Sequence, residues 1–179
     1  MKRIGVLGAG TMGHGIAQVC AMAGYDVRIT DNDPAGLQRG LDNIQKNLNK
    51  GVVRGKVTEE AAAAAMANVS GAASLQAAAD GADLVIEAVP EILSLKQSLF
   101  DTVAAHAPEH CIFGTNTSSL SVASIASQLD DPGRVIGTHF FNPVHIMKLL
   151  EVIVSEHTRA DVVEQIESFG AQIGKDVII

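Results

Sequence analysis

The sequence predicts an α/β fold: a doubly wound, mostly parallel sheet with a helical-pair excursion and a C-terminal antiparallel hairpin. Three observations predict it. Short apolar runs at 4–7, 26–30, 84–88, 111–115 and 134–140 alternate with helical patterns, which implies parallel strands joined by right-handed crossovers. A glycine turn, Gly8-Ala9-Gly10-Thr11-Met12-Gly13, falls between the first run and the first helical pattern. The runs 134–140 and 148–155 are separated by only seven residues, Phe141 to Met147. A crossover helix needs about a dozen residues or more, so these two strands pair antiparallel.

Bulk properties set the limits. A chain of 179 residues suits one domain with a proper core. An apolar content of 47% with 18% charged residues is that of a packed globular protein. The formal charge of −7 argues against nucleic acid or an anionic membrane as partner, since both require basic surface. No window approaches a membrane span and no signal peptide is visible, so a soluble cytoplasmic protein is expected. Cys20 lies in a helical pattern and Cys111 opens a strand, without CxxC spacing. Both read as buried reduced thiols, and no metal site is expected.

Residues 3–31 carry the first functional signal. They read as strand, glycine turn, apolar-faced helix, second strand and terminal acid, the context that gives GxGxxG its meaning. Gly8 permits the tight turn, Gly10 lets backbone approach a pyrophosphate, and Gly13 lets the helix pack against the strand. The N–H groups of Thr11, Met12 and their neighbours at the helix start then face the phosphates. Asp31 stands 18 residues after Gly13, close to the roughly 20-residue offset of an acid that holds a ribose diol. Such a carboxylate repels a 2′-phosphate, and Asn32-Asp33-Pro34 offers no Arg or Lys to receive one. NAD is therefore expected rather than NADP, on a Rossmann-like domain. Asp33-Pro34 reads as a helix N-cap followed by proline at the first helical position.

The segment 34–67 is longer than one crossover helix needs and reads as a helical pair projecting from the sheet. It carries Lys46, Lys50, Arg54 and Lys56, either a solvated helix face or a landing surface for an anionic group on a substrate. The alanine run 61–65 is a plain helix. Asn116 and Ser118 follow the run 111–115, at the carboxyl edge where doubly wound sheets bind ligands; polar capping of the next helix is the competing reading. In a hairpin centred on His145, His139 and Glu151 face each other with Cβ atoms about 4.5–5.5 Å apart. A carboxylate bound to one imidazole nitrogen fixes the tautomer and leaves the other nitrogen to take a proton. That is the pair needed to deprotonate an alcohol as hydride leaves for a nicotinamide. A structural brace within the hairpin is the competing reading. The remaining histidines, His14, His106, His110 and His157, have no ligand-like spacing. A helix over 160–169 and an apolar strand over 176–179 complete the chain.

Several motifs resemble one family. The glycine turn GAGTMGHGIA, the segments Glu87-Ala88-Val89-Pro90-Glu91 and Asn116-Thr117-Ser118-Ser119-Leu120, and His139-Phe140-Phe141-Asn142-Pro143 with Lys148-Leu149-Leu150-Glu151-Val152 are similar to L-3-hydroxyacyl-CoA dehydrogenase. Among its members, the bacterial 3-hydroxybutyryl-CoA dehydrogenases look most alike. The resemblance covers nearly the whole chain. It implies an oxidoreductase interconverting (S)-3-hydroxyacyl-CoA and 3-oxoacyl-CoA with NAD(H). His139 matches the catalytic base and Glu151 the acid that orients it. Ser118 matches a serine at the substrate's 3-oxygen, and Asn142 an asparagine near nicotinamide and substrate. Glu91 and Lys96 fall where the family has cofactor contacts, with Asn116 beside them; an exposed helix lysine is the alternative for Lys96. The polyanionic CoA makes Lys46, Lys50, Arg54 and Lys56 candidate phosphate contacts.

The resemblance also implies a further helical domain in the family, which closes over the acyl-CoA and forms a homodimer. Residues 1–179 read as the NAD-binding domain alone, so a non-catalytic NAD-binding module stays open beside the dehydrogenase. Dehydrogenases of the 6-phosphogluconate and hydroxyisobutyrate type share the glycine turn, but the HFFNP hairpin speaks against them.

Overall fold

The computed structural model describes residues 1–179. The first half comprises β1 (Arg3–Leu7), α1 (Thr11–Met22), β2 (Asp26–Thr30), α2 (Pro34–Val53), α3 (Glu59–Ala67), β3 (Val69–Gly71) and α4 (Leu75–Ala79). The second comprises β4 (Leu84–Glu87), α5 (Leu93–Ala104), β5 (Ile112–Thr115), α6 (Val122–Ala126), a 3₁₀ turn (Pro132–Arg134), β6 (Val135–Phe140), β7 (Leu149–Ile153), α7 (Ala160–Gln172) and β8 (Asp176–Ile178). The eight strands lie in the order β3-β2-β1-β4-β5-β6-β7-β8. Every neighbouring pair is parallel except β6–β7.

The order reverses beside β1: β2 and β3 are laid down on one side of it, β4 onward on the other. That reversal opens a crevice at the carboxyl ends of β1 and β4, where open α/β sheets bind ligands. β3 leaves no signal in the sequence. Its three residues, Val69-Ser70-Gly71, are too few and too polar to show a periodicity.

Two apolar layers sandwich the sheet. On one face Ile4, Val6, Ile86 and Ile136 pack with Ile16 of α1, Ile44 of α2, Ala65 of α3 and Phe169 of α7. On the other, Leu7, Val85, Phe113 and Val135 pack with Ala78 of α4, Phe100 of α5 and Ile125 of α6. A buried side chain of this kind contributes about 1.5–3 kcal/mol. The helical pair α2–α3 lies back on the apolar layer of α1 through Ile44, Leu48 and Ala65, with Gly40 against Ala9 of the glycine turn, while Val53 at the end of α2 is left exposed. Asp33 caps α2 by accepting from the Ala35 N–H, with Pro34 at the first helical position. Both cysteines are free and buried, and burial pushes each thiol up to about 12. No helix is long and apolar enough to cross a membrane.

Candidate active site

The glycine turn is built by clearance. Gly8 has φ +95°, the left-handed region, and a Cβ there would lie 2.8 Å from the Ala88 carbonyl oxygen. A Cβ on Gly13 would lie 1.7 Å from the Gly8 carbonyl oxygen, so α1 can start here only with glycine. Gly10 has nothing within 4 Å of where its Cβ would be, an open approach to backbone. It is the N-cap of α1 yet supplies no side-chain capping bond, so N–H groups of the first turn, where Thr11 and Met12 sit, await an acceptor.

Asp31 closes this cradle. Its Oδ2 accepts from Ala9 N–H at 2.8 Å and its Oδ1 from Asp33 N–H at 3.0 Å. A carboxylate offers about four lone-pair sites, so two remain for ribose hydroxyls. A cleft of about 380 Å³ runs between Gly8, Gly10, Asp31, Asn32, Ala88 and Pro90. The residues present fit a dinucleotide on every count: open backbone, unpaired donors and a free acceptor edge.

The strand registers carry the site sideways from this cradle. Leu7 is paired with Glu87, Glu87 with Thr115, and Thr115 with Gly137. Three strand spacings therefore separate β1 from β6, roughly 14 Å. His139 lies two residues beyond Gly137 on the same face of the sheet. It is directly opposite Glu151 in the antiparallel pair. His139 Nδ1 lies 2.7 Å from Glu151 Oε2. An ionised carboxylate only accepts, so Nδ1 carries the proton and Nε2 is left as the basic nitrogen of the neutral ring. Phe141 packs against the ring in a tilted arrangement, with centroids 4.6 Å apart at 56°. Asn116 ties the end of β5 to this strand: its Oδ1 accepts from Phe140 N–H at 2.8 Å. Asn142 is exposed at the start of the β6–β7 loop.

Between cradle and histidine lies a network the sequence showed only in part. Lys96 and Glu87 are 1% and 0% exposed. The Lys96 ammonium donates to both Glu87 oxygens, at 2.7 and 2.9 Å, and to Glu91 Oε2 at 3.1 Å. An ammonium has three donors, and all are taken. Lys96 is thus not an exposed helix lysine, which corrects that reading of the residue: it is buried between Glu87 and Glu91. Glu91 Oε1 in turn accepts from the Thr117 hydroxyl and from the N–H groups of Ser118, at 3.0 Å, and Ser119. Burial works to raise the Glu91 pKa, but the Thr117 hydroxyl, the Lys96 ammonium and the Ser118 N–H prevail and hold it at about 2. Glu91 therefore fixes the backbone that carries Ser118. Glu87 and Thr115 belong to the same network through a hydrogen bond from the threonine hydroxyl. One signal for it was available: a charged residue ending the apolar strand Leu84-Val85-Ile86 requires a buried partner.

A groove of about 580 Å³ lies between the second half of α2 and the β6–β7 loop, and Lys50, Arg54, Lys56 and His145 line it. Lys46 is not among its lining residues but lines an adjoining concavity on α2 together with Lys50 and Arg54. Burial, and then neighbouring His14, Lys175 and Lys50, hold the His145 pKa below its ordinary value. His106, His110 and His157 lie far out on the surface, and His14 turns its Nδ1 to the Gly10 carbonyl, 2.7 Å away.

A doubly wound sheet with an open glycine cradle and an acid with a free acceptor edge beside its switch point defines a dinucleotide-binding domain. The chain belongs to the family described as 3-hydroxyacyl-CoA dehydrogenase, NAD binding domain, whose family model matches residues 3–179. It is similar to the probable 3-hydroxybutyryl-CoA dehydrogenase of Bacillus subtilis, 42% identical over 174 residues, covering 95% of this chain and 60% of that protein. It is also similar to the 3-hydroxyadipyl-CoA dehydrogenase of Escherichia coli K12, 40% identical over 178 residues, covering 99% of this chain and 37% of that one. The crystal structure of (S)-3-hydroxybutyryl-CoA dehydrogenase from Ralstonia eutropha matches with a TM-score of 0.95 at 35% identity, over 99% of this chain and 62% of the other. The chain thus spans between about a third and two thirds of the length of these relatives.

Proposed function

We propose that this chain supplies the cofactor half of an enzyme that interconverts a short-chain (S)-3-hydroxyacyl-CoA, such as 3-hydroxybutyryl-CoA, and its 3-oxoacyl-CoA, using NAD(H). The observation that carries the proposal is the 2.7 Å hydrogen bond from His139 Nδ1 to Glu151 Oε2, which leaves Nε2 free to take a proton. Bound NAD supplies the hydride acceptor in one direction and the hydride donor in the other. His139 Nε2 accepts the proton of the substrate's 3-hydroxyl and returns it to the forming alkoxide in reverse. Glu151 holds the ring's tautomer and stabilises the imidazolium. Ser118 hydrogen-bonds the 3-oxygen, and Asn142 orients substrate against nicotinamide. Asp31 holds the adenosine ribose, with Glu91 and Asn116 at the nicotinamide end. Lys50, Arg54 and Lys56 meet the CoA phosphates in the groove they line.

The test is NADH oxidation with acetoacetyl-CoA by this chain and by His139→Gln. Removing a general base costs about 10²- to 10⁴-fold in rate, with NADH affinity retained. Tight NADH binding with no turnover in the unaltered chain would instead favour a binding module.

A further inference from the structure

We infer that Gly15, Val144 and Lys175 are positioning residues that fix the His139–Glu151 hairpin against the helix rising from the cofactor cradle. The inference rests on the proposed dehydrogenase reading and names residues which that reading leaves unused. The connection between β6 and β7 folds into one tight turn, in which Ile146 N–H and Met147 N–H both donate to the Pro143 carbonyl at 2.9 Å. Two carbonyls of that turn, on Val144 and Met147, point at a single ammonium. Lys175 Nζ donates to both, at 2.6 Å for Met147. Lys175 is only 9% exposed, and burial holds its pKa below the ordinary lysine value. A buried ammonium paired with carbonyls alone is a costly way to close a loop, so its geometric effect is the feature to explain.

The same turn is bolted to α1. Val144 is 1% exposed and belongs to the apolar layer that includes Ile16, Val19 and Cys20. A Cβ on Gly15 would lie 2.9 Å from Val144 Cβ and 3.0 Å from its Cγ2, so the loop approaches the helix as closely as glycine allows. Gly15 stands two residues beyond Gly13, which is itself seated on the Gly8 carbonyl. A continuous line of close contacts therefore runs from the cofactor turn through Gly13, Gly15 and Val144 to the hairpin bearing His139. From the far side, Lys175 pulls on the same loop, and Asp176 N–H pairs with the Lys148 carbonyl at 2.8 Å. On this inference the seat sets His139, and the hydrogen bonds of Lys175 go to the hairpin loop rather than to the glycine turn.

Gly15→Ala should lift the loop by a few tenths of an ångström. A displacement of about 1 Å at a reacting group costs on the order of 10²-fold in rate, so a loss of roughly tenfold in hydride transfer is expected. Val144→Gly added to Gly15→Ala should restore most of that loss, because it removes both the Cβ and the Cγ2 that the added methyl would meet. Lys175→Met should act like Gly15→Ala. Three readouts are taken on each variant: NADH affinity by fluorescence, the long-range ¹H–¹⁵N signals of the His139 ring, and single-turnover hydride transfer from NADH to acetoacetyl-CoA. Shifted ring signals with NADH affinity within about twofold, restored in the double variant, support the inference. Unmoved ring signals, or a loss of NADH affinity matching the disturbance at His139, overturn it. If Gly15→Ala fails to fold, Lys175→Met and Val144→Ala alone carry the same comparison. Absence of hydride transfer in the unaltered chain would sink the proposed reaction, while the ring signals would still decide the positioning.

Discussion

Replacing Lys96 with methionine tests whether the cluster between cradle and histidine is a desolvated ion pair. Lys96 and Glu87 are 1% and 0% exposed, and both Glu87 oxygens bind the ammonium. Methionine keeps the chain length, the buried stem and the helix propensity of lysine, so the change isolates the charge. It leaves a carboxylate buried with only the Thr115 hydroxyl and the Val89 N–H, at 3.2 Å, as donors. Removing one partner of a buried pair costs about 3–5 kcal/mol. For a domain of this size a loss of 1 kcal/mol lowers Tm by about 2–4 °C, so a fall of roughly 6–20 °C is expected. Thermal melts and urea unfolding of Lys96→Met measure it. Adding Glu87→Gln should recover much of the loss, since the orphaned charge is then gone, and a double-mutant cycle gives the coupling. A loss below about 1 kcal/mol, as for a solvated surface pair, would refute the buried-pair reasoning.

Two further outcomes follow from the carboxylates around the cleft. Asp31→Ala should weaken NAD(H) binding about 10- to 100-fold through lost hydrogen bonds to a charged acceptor, and NADP(H) binding less; an unchanged preference in a titration with both cofactors would remove Asp31 from the ribose. Glu91 is held at about 2 against an ordinary 4.5. Its contribution to stability is therefore complete above 4.5 and is lost as pH falls through about 2. Denaturant unfolding across that window should show a shallower acid loss in Glu91→Gln than in the unaltered chain, and parallel profiles would contradict the Thr117 and Lys96 contacts.

Much of the fold was legible because its signals are local. Gly8 and Gly13 announce a turn that no other residue can make, and Asp33-Pro34 announces a helix start. The cross-strand partnership of His139 and Glu151 was legible for a different reason: a seven-residue connection fixes which positions face each other, without knowledge of the rest of the sheet. Lys96 shows where such reasoning stops. A lysine in an amphipathic helix is ordinarily solvated, and only the packing of α5 onto the ends of β4 and β5 puts it between two glutamates. β3 was invisible because three residues at a sheet edge carry no period of their own.

The amino-acid order by itself determined the strand–turn–helix cradle, the acid after the second strand, and the histidine–glutamate pairing, all set by steric limits and counting within a short span of chain. Tertiary structure alone decided which long-range neighbours meet: Thr115 with Glu87, Thr117 and Ser118 with Glu91, Val144 against Gly15, and Lys175 beneath the hairpin loop. Those contacts join segments up to about 130 residues apart. Their formation depends on how the sheet stacks its helices, and no local pattern encodes that.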